Sequence, residues 1–184
     1  IRTNAIPKLI LTATAFQAEF DSELTYSADA GQTEAGRPSR RQGVELTAQY
    51  RPFPWLEING NLAFSHARYR DGPDANRFVE DAPGFIGSAG ILVDGLGPWS
   101  GSLVWRRLGS HPLVDDNSVR SSGYGQFNLA VGRTLGHGLT LRAEVFNLLN
   151  SSDNAADYFY RSRLQGEGPE GAEDGRQARR RGPG

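Results

Sequence analysis

From Gln42 to Arg51 the chain alternates without a break. Val44, Leu46, Ala48 and Tyr50 fall on one parity, and Glu45, Thr47, Gln49 and Arg51 on the other. Successive side chains of a strand point to opposite faces, so this segment predicts a ribbon with one oily and one charged face. The same period returns along the whole chain. Pro7–Phe16 places Leu9, Leu11, Ala13 and Ala15 together, and Glu19–Ala28 sets Phe20, Leu24 and Tyr26 against Glu19, Asp21, Glu23 and Thr25. Leu56–Arg70 sets Leu56, Ile58, Leu62 and Phe64 against Glu57, Asn59, Asn61 and Ser65. Gly84–Asp94, Trp99–Leu108 and Tyr124–Leu135 alternate in the same way, as does Leu139–Asn150, with Leu139, Leu141, Ala143 and Val145 opposite Thr140, Arg142 and Glu144. A helical stripe of Leu141, Val145, Leu148 and Leu149 also runs through the last segment, but recurrence of the two-residue period in about eight segments favours strands.

The connections are of two kinds. Short ones stand near Gln17-Ala18, at Pro52-Phe53-Pro54-Trp55, at Gly95-Leu96-Gly97-Pro98 and at Gly136-His137-Gly138. Long polar ones, Asp29–Arg41, Asp71–Pro83 and Gly109–Ser122, alternate with them. Short turns on one rim and long loops on the other are the pattern of an outer-membrane barrel. Strands of roughly ten residues suit a tilted crossing of the hydrocarbon layer. Phe53, Trp55, Tyr69, Trp99 and Tyr124 stand near strand ends, where interfacial girdles form. The expected fold is therefore all-β, an antiparallel up-and-down meander of about eight strands, part of a transmembrane β-barrel. Its domains would be the partial barrel over residues 1–150, an extracellular loop segment over 151–174, and a disordered, aberrant tail over 175–184.

Composition adjusts this picture at a few points. Of 184 residues, 20 are Lys or Arg and 21 are Asp or Glu, so the net charge is −1 and nothing points to a nucleic-acid partner. Cysteine is absent, which excludes disulfides and thiolate metal sites. Mean hydropathy is −0.50. No apolar run is long enough for a spanning helix, whereas alternating barrel strands are expected to score low. There is no Met and no signal peptide, and the chain opens inside a strand pattern. The expectation is an internal or C-terminal piece of something longer.

Candidate chemistry is sparse. His66, His111 and His137 lie on different segments, and a metal site would need them to converge with carboxylates. Asp115-Asp116-Asn117, Asp153-Asn154 and Asp157 lack the spacing of a calcium loop and are expected to be solvated turn residues. Glu45, Glu57 and Glu144, with Arg51, Arg106 and Arg142, would line an interior; no nucleophile or elbow motif accompanies them, so the chain is not expected to be an enzyme or to hold a cofactor. Arg37, Arg40 and Arg41 form a basic cluster on the first long loop, a candidate contact for an anionic ligand or for lipopolysaccharide phosphates.

Five segments carry a family resemblance. They are Glu34–Val44, the run Tyr-Arg-Pro-Phe-Pro-Trp at 50–55, Asp115–Arg120, the run Val-Phe-Asn-Leu-Leu-Asn at 145–150, and Asp157–Gly166. Together they resemble the C-terminal portion of a TonB-dependent outer-membrane receptor, with Val145–Asn150 similar to the penultimate strand. Such receptors are plugged barrels of about 22 strands, and the resemblance implies that this chain supplies about the fourteenth to the twenty-first. It also implies a Gram-negative outer-membrane location, outer-membrane lipid around the barrel, short turns toward the periplasm and long loops outward. In a full-length parent it implies a plug domain, TonB and a small-molecule ligand such as an iron chelate. Past Asp174 the chain reads Gly-Arg-Gln-Ala-Arg-Arg-Arg-Gly-Pro-Gly, with no alternation and no terminal aromatic residue. The family's final strand is therefore expected to be missing, as a frameshift would cause, and the chain is expected not to transport alone. Two other readings stand beside this one: a self-contained small barrel with a structural or adhesive role, and a soluble β-sandwich binding module.

Overall fold

The computed structural model describes residues 1–3, 5–22, 24–27, 32–154, 156, 157 and 159. Its strands are β1 (Arg2–Thr3), β2 (Leu9–Phe20), β3 (Leu24–Ser27), β4 (Gln32–Ala35), β5 (Ser39–Phe53), β6 (Leu56–Tyr69), β7 (Phe85–Leu96), β8 (Trp99–Leu108), β9 (Tyr124–Gly136) and β10 (Leu139–Val145). Eight form one antiparallel sheet in the order β1-β2-β5-β6-β7-β8-β9-β10, and β3 and β4 form a separate hairpin between β2 and β5. Among the described residues no helix is long and apolar enough to cross a membrane. The predicted all-β meander is what forms. The sheet is open, with β1 and β10 at opposite edges.

Three expectations about the strands change. Pro7–Phe16 and Glu19–Ala28 are not two strands joined near Gln17-Ala18. Residues 9–20 make one strand, because Gln17 and Ala18 pair with Gln42 and Arg41 and the ladder runs on to Phe20 opposite Ser39. The first short connection instead joins β1 to β2, where Leu9 N–H donates to the Ile6 carbonyl at 3.1 Å. The strand expected at Gln42–Arg51 begins at Ser39 and ends at Phe53, which moves Arg40 and Arg41 off the loop. The last strand ends at Val145 rather than Asn150, because Asn147 and Asn150 turn the chain with φ of 52° each. Residues 160–184, with most of the expected loop segment and all of the tail, lie outside the described residues.

Register makes the oily positions a single surface. Across β2, β5, β6 and β7, Ala15, Val44, Phe64 and Phe85 stand in one rank. Leu9, Tyr50, Ile58, Ile91, Leu103, Leu129 and Val145 stand in another that crosses seven strands. A one-residue slip in any pairing would turn that strand's apolar set over, so the pattern itself specifies the register. Phe64 and Phe85 meet at 5.1 Å between ring centres on this face. At the short-turn rim Phe53 stacks on Trp55 at 5.2 Å, and the Arg133 guanidinium lies 5.0 Å from the Trp99 ring centre. These rings suit a girdle. Tyr69 and Tyr124 do not, because their parity turns them to the polar face with Asn59, Asn61 and Gln126.

The sheet is one layer thick and has no opposing layer to fill. Leu46, Ile58, Phe64, Ile91 and Val131 remain exposed on its apolar face. Apart from glycines, the buried described residues are Ser39, Tyr69, Val79, His111, Pro112 and Ser121, and all of them sit at the long-loop rim. The short turns are built by residues that tolerate positive φ. His137 (φ 51°) and Gly138 (φ 77°) join β9 to β10 as the two central residues of a hairpin turn that needs both φ positive.

Gly43 on β5 is a close-approach site. A Cβ there would run into the Phe64 carbonyl oxygen and lie 2.8 Å from Cζ of Phe16. Gly43→Val is expected to lower stability by about 1–3 kcal/mol, as overpacking does. At Gly60 the nearest atom to an added Cβ is the Ser88 oxygen at 3.7 Å, so Gly60→Ala should fold as well as the parent chain. Urea midpoints of the folded protein compare the two, and equal midpoints would refute the claim.

Candidate functional site

The polar face of the sheet carries Glu45, Thr47 and Gln49 on β5, Glu57, Asn59 and Asn61 on β6, Ser88 on β7, Arg106 on β8 and Gln126 and Asn128 on β9. Glu45, Thr47, Asn61, Ser88, Arg106 and Tyr124 line a concavity of about 460 Å³ on this side. Several charges on the face are already matched. Arg51 reaches Glu57 at 2.6 Å and Arg142 reaches Glu144 at 2.5 Å. The Asn59 amide donates to Glu57 at 3.4 Å. The face therefore offers mixed donors and acceptors to whatever fills the interior, with Arg106 and Glu45 as its charged members at the concavity.

Above this face the three long connections are tied into one cap, and Arg37 is the knot. Its Nε donates to Asp71 at 2.8 Å and its Nη2 to the Asp71 carbonyl at 2.6 Å. Its Nη1 reaches the Asn76 carbonyl at 3.0 Å and Asp115 Oδ2 at 3.2 Å. The guanidinium carbon also lies 4.4 Å from the ring centre of Tyr69. One planar fork thus holds the β4–β5, β6–β7 and β8–β9 connections together, which a lysine could not do. Beneath it Val79 is 1% exposed and Tyr69 5%, and the Tyr69 hydroxyl donates to Glu80 at 2.6 Å. The backbone closes the cap, with Phe78 N–H donating to the Asp115 carbonyl at 2.9 Å and Asp81 N–H to Pro112 at 3.0 Å.

The basic cluster expected on one loop is dispersed by this geometry. Arg37 lies just before β5, with its donors engaged by the cap. Arg40 and Arg41 are consecutive in a strand, so their side chains leave opposite faces. Arg40 is on the apolar-face side and holds Glu19 at 2.8 Å, and Arg41 is on the polar-face side. Asp115 is more than a solvated turn residue, since it accepts from Arg37 and Asn76. Asp116 does close a local turn, accepting from Ser118 N–H at 2.9 Å. His66 is exposed, His137 is in a turn, and His111 is buried with Ser121 Oγ 3.0 Å from its Nδ1. Among the described residues no group of His, Asp and Glu gathers as a metal site.

Asp81 sits beside His111, with 3.7 Å between Oδ1 and Nε2. Burial raises the Asp81 carboxyl above the usual aspartate range, His111 draws it back, and Glu80 adds to the rise. An acid whose pKa rises on folding holds its proton more tightly in the folded state. The stability it contributes is present in acid and lost as pH climbs through the raised value. Asp81→Asn removes that loss, so the variant should gain on the parent as pH climbs above aspartate's usual range near 4, and not below it. Because Asp81 is half-exposed, the gain should stay under about 1 kcal/mol. Melting temperatures of the pair across this pH range check it, and a gain at acid pH alone would contradict it.

The run Val145–Asn150 gains its meaning from the turn that ends β10. Asn147 N–H donates to Asn128 Oδ1 at 3.0 Å, and Leu148 N–H donates to the Phe127 carbonyl at 2.8 Å. The Asn147 side chain then exchanges two 2.9 Å bonds with the Ser151 backbone. The chain thereby continues along β9 toward its start, where Ser151 Oγ donates to the Gly125 carbonyl at 2.8 Å and Asp153 accepts from Gly125 N–H at 3.1 Å.

Comparison with known proteins agrees with this architecture. The family model described as TonB dependent receptor-like, beta-barrel, matches residues 3–148. Among solved structures, the ferric yersiniabactin uptake receptor FyuA from Yersinia pestis superposes with a TM-score of 0.70 at 18% identity, over 88% of this chain and 25% of that one. The ferric-catecholate import receptor Fiu from K12 E. coli gives 0.65 at 19%, over 85% and 23%. The ferric citrate transporter FecA gives 0.64 at 21%, over 88% and 26%. The chain thus spans about a quarter of the length of each of these structures. No curated protein matches.

Proposed function

Because the chain belongs to the TonB dependent receptor-like β-barrel family, a family of transport receptors rather than enzymes, we propose that it forms a stretch of barrel wall in an outer-membrane receptor that imports a scarce solute. The observation that carries this reading is the continuous apolar face, kept in register over seven strands, backed by a polar face with a concavity. In this reading the apolar face meets lipid and the polar face meets a plug domain. TonB supplies the energy through that plug, and the long-loop cap faces outward. Iron chelates are the solute class we favour, since three of the structures compared are named for ferric yersiniabactin, ferric catecholate and ferric citrate. Of the three arginines expected to meet a ligand, Arg37 is committed to the cap and Arg40 lies on the apolar side, so we assign Arg41, on the polar side, the contact with an anionic chelate.

The chain alone should not transport. A strain deleted for its ferric citrate receptor and given only this chain should take up no ferric citrate above the empty-vector level, and restored uptake would refute the assignment. A self-contained barrel would require β1 to pair with β10, and these lie at opposite edges of the sheet. A sandwich would require a second large sheet, and the described residues offer only the β3–β4 hairpin.

A further inference from the structure

The apolar face ends abruptly at the long-loop rim. Two residues beyond the Val44–Phe64 rank stand Gln42 and His66, and two further stand Arg40 and Arg68, directly opposite one another on the same face. Like charges placed opposite across a ladder repel. Arg70, immediately after the end of β6, is the next residue of that parity. The carboxylates that answer them are Glu19 and Asp21. Glu19 is shared, at 2.8 Å from Arg40 and 3.6 Å from Arg70, and Asp21 is fully exposed at 3.5 Å from Arg70. Among the described residues Arg68 has neither. Its Nε points to His66 Nε2 at 3.2 Å, its guanidinium lies 3.3 Å over the Phe78 ring, and its Nη1 is buried without a hydrogen-bond partner.

We propose that Arg40, Arg68 and Arg70 bind the phosphate monoester of a membrane glycolipid whose acyl chains lie on the apolar ranks below. The proposal rests on the reading of the apolar face as lipid-facing and of the long-loop rim as its outer-leaflet end. Glu19 already answers Arg40, and phosphate supplies the negative charge that Arg68 lacks, with guanidinium donors that match its oxygens. The depth also fits. The arginine rank is about 13 Å along the strands from the Val44–Phe64 rank, or about 10 Å along the membrane normal at a barrel's tilt. A soluble anion would have no use for the greasy surface continuous with the site, and a lipid has one.

The test uses the full-length receptor that contains this stretch of wall, extracted folded from outer membranes in mild detergent. It is offered diphosphoryl lipid A or the same lipid after enzymatic dephosphorylation, and retained lipid is counted by native mass spectrometry. At least tenfold preference for the phosphorylated form is expected, with the preference lost in Arg68→Gln and reduced in Arg40→Gln. Arg133→Gln, on the same face at the opposite rim, should keep it. Equal retention of the two lipids by the unaltered protein overturns the proposal without needing any variant to fold. Displacement of lipid A by millimolar inorganic phosphate also overturns it, since that describes a soluble-anion site. Labelling of Val44 and Leu46 by a bilayer-embedded photoprobe is measured in parallel. Labelling without phosphate preference sinks only the headgroup site, whereas absence of labelling sinks the lipid-facing reading itself.

Discussion

Replacing Arg37 with alanine is expected to release three loops at once. The side chain makes four hydrogen bonds, to Asp71 twice, to Asn76 and to Asp115, and stacks on Tyr69. Hydrogen bonds to charged groups contribute roughly 1.5–3 kcal/mol each when sheltered, and partial exposure reduces that, so a loss of about 2–4 kcal/mol in the cap is expected. The sheet should survive, because its ladders do not depend on Arg37. Limited proteolysis should therefore cut within residues 71–83 and 109–122 of the variant while the strands stay protected. Arg37→Lys should fall between the two, since an ammonium cannot span these acceptors. Arg51→Ala is the control: Arg51 also pairs with a carboxylate, Glu57, but its side chain is 65% exposed and ties no loop. Unchanged protection of both loops in Arg37→Ala would mean that Arg37 does not hold the cap together.

The second large effect concerns the two faces of β8. Leu103 lies between Trp99 and Trp105 and stands in register between Ile91 and Leu129. An arginine there would face the middle of the hydrocarbon layer, where it costs about 2–4 kcal/mol in a barrel. Ser102, one residue away, faces the polar side with Arg106. Introduced into the full-length receptor that contains this stretch of wall, Leu103→Arg is expected to abolish the heat-modifiable band in outer-membrane fractions, and Ser102→Arg to leave it. The reverse result would exchange the two faces and dissolve the membrane assignment.

The strands were legible because each obeys a two-residue period strong enough to specify which side is apolar. β8 keeps its expected bounds, and β5, β6 and β9 needed only small adjustments at their ends. The split of β2 was misread for a local reason. Gln17 and Ala18 look like a break in the oily parity, yet the strand there has left the apolar band and pairs Glu19 with Arg40 as rim residues. Polarity on the apolar parity marked the end of the apolar band, not the end of the strand. The loop cap was illegible for a different reason. Asp71 and Asp115 stand 34 and 78 positions from Arg37, their partner in the fork, and no local pattern joins them. Tyr69 and Val79 carried a weak signal, a tyrosine on the polar parity and a valine in a polar loop, that together could have indicated a buried patch. Arg40-Arg41 read as one cluster only while both were assigned to a loop; once they are in a strand, adjacency in sequence means separation in space.

Each long strand of the main sheet bonds to the next long strand of the chain, and the β3–β4 hairpin is an excursion that leaves this order intact. A hairpin in such a wall behaves as an exchangeable stave. Duplicating or deleting one whole pair between two long loops would alter the circumference while sparing the inside-outside sense of every remaining strand. Removal of a single strand would invert the polarity of all the later ones. Pore width in walls of this kind can thus change in evolution by even steps, without any residue of the retained staves having to change.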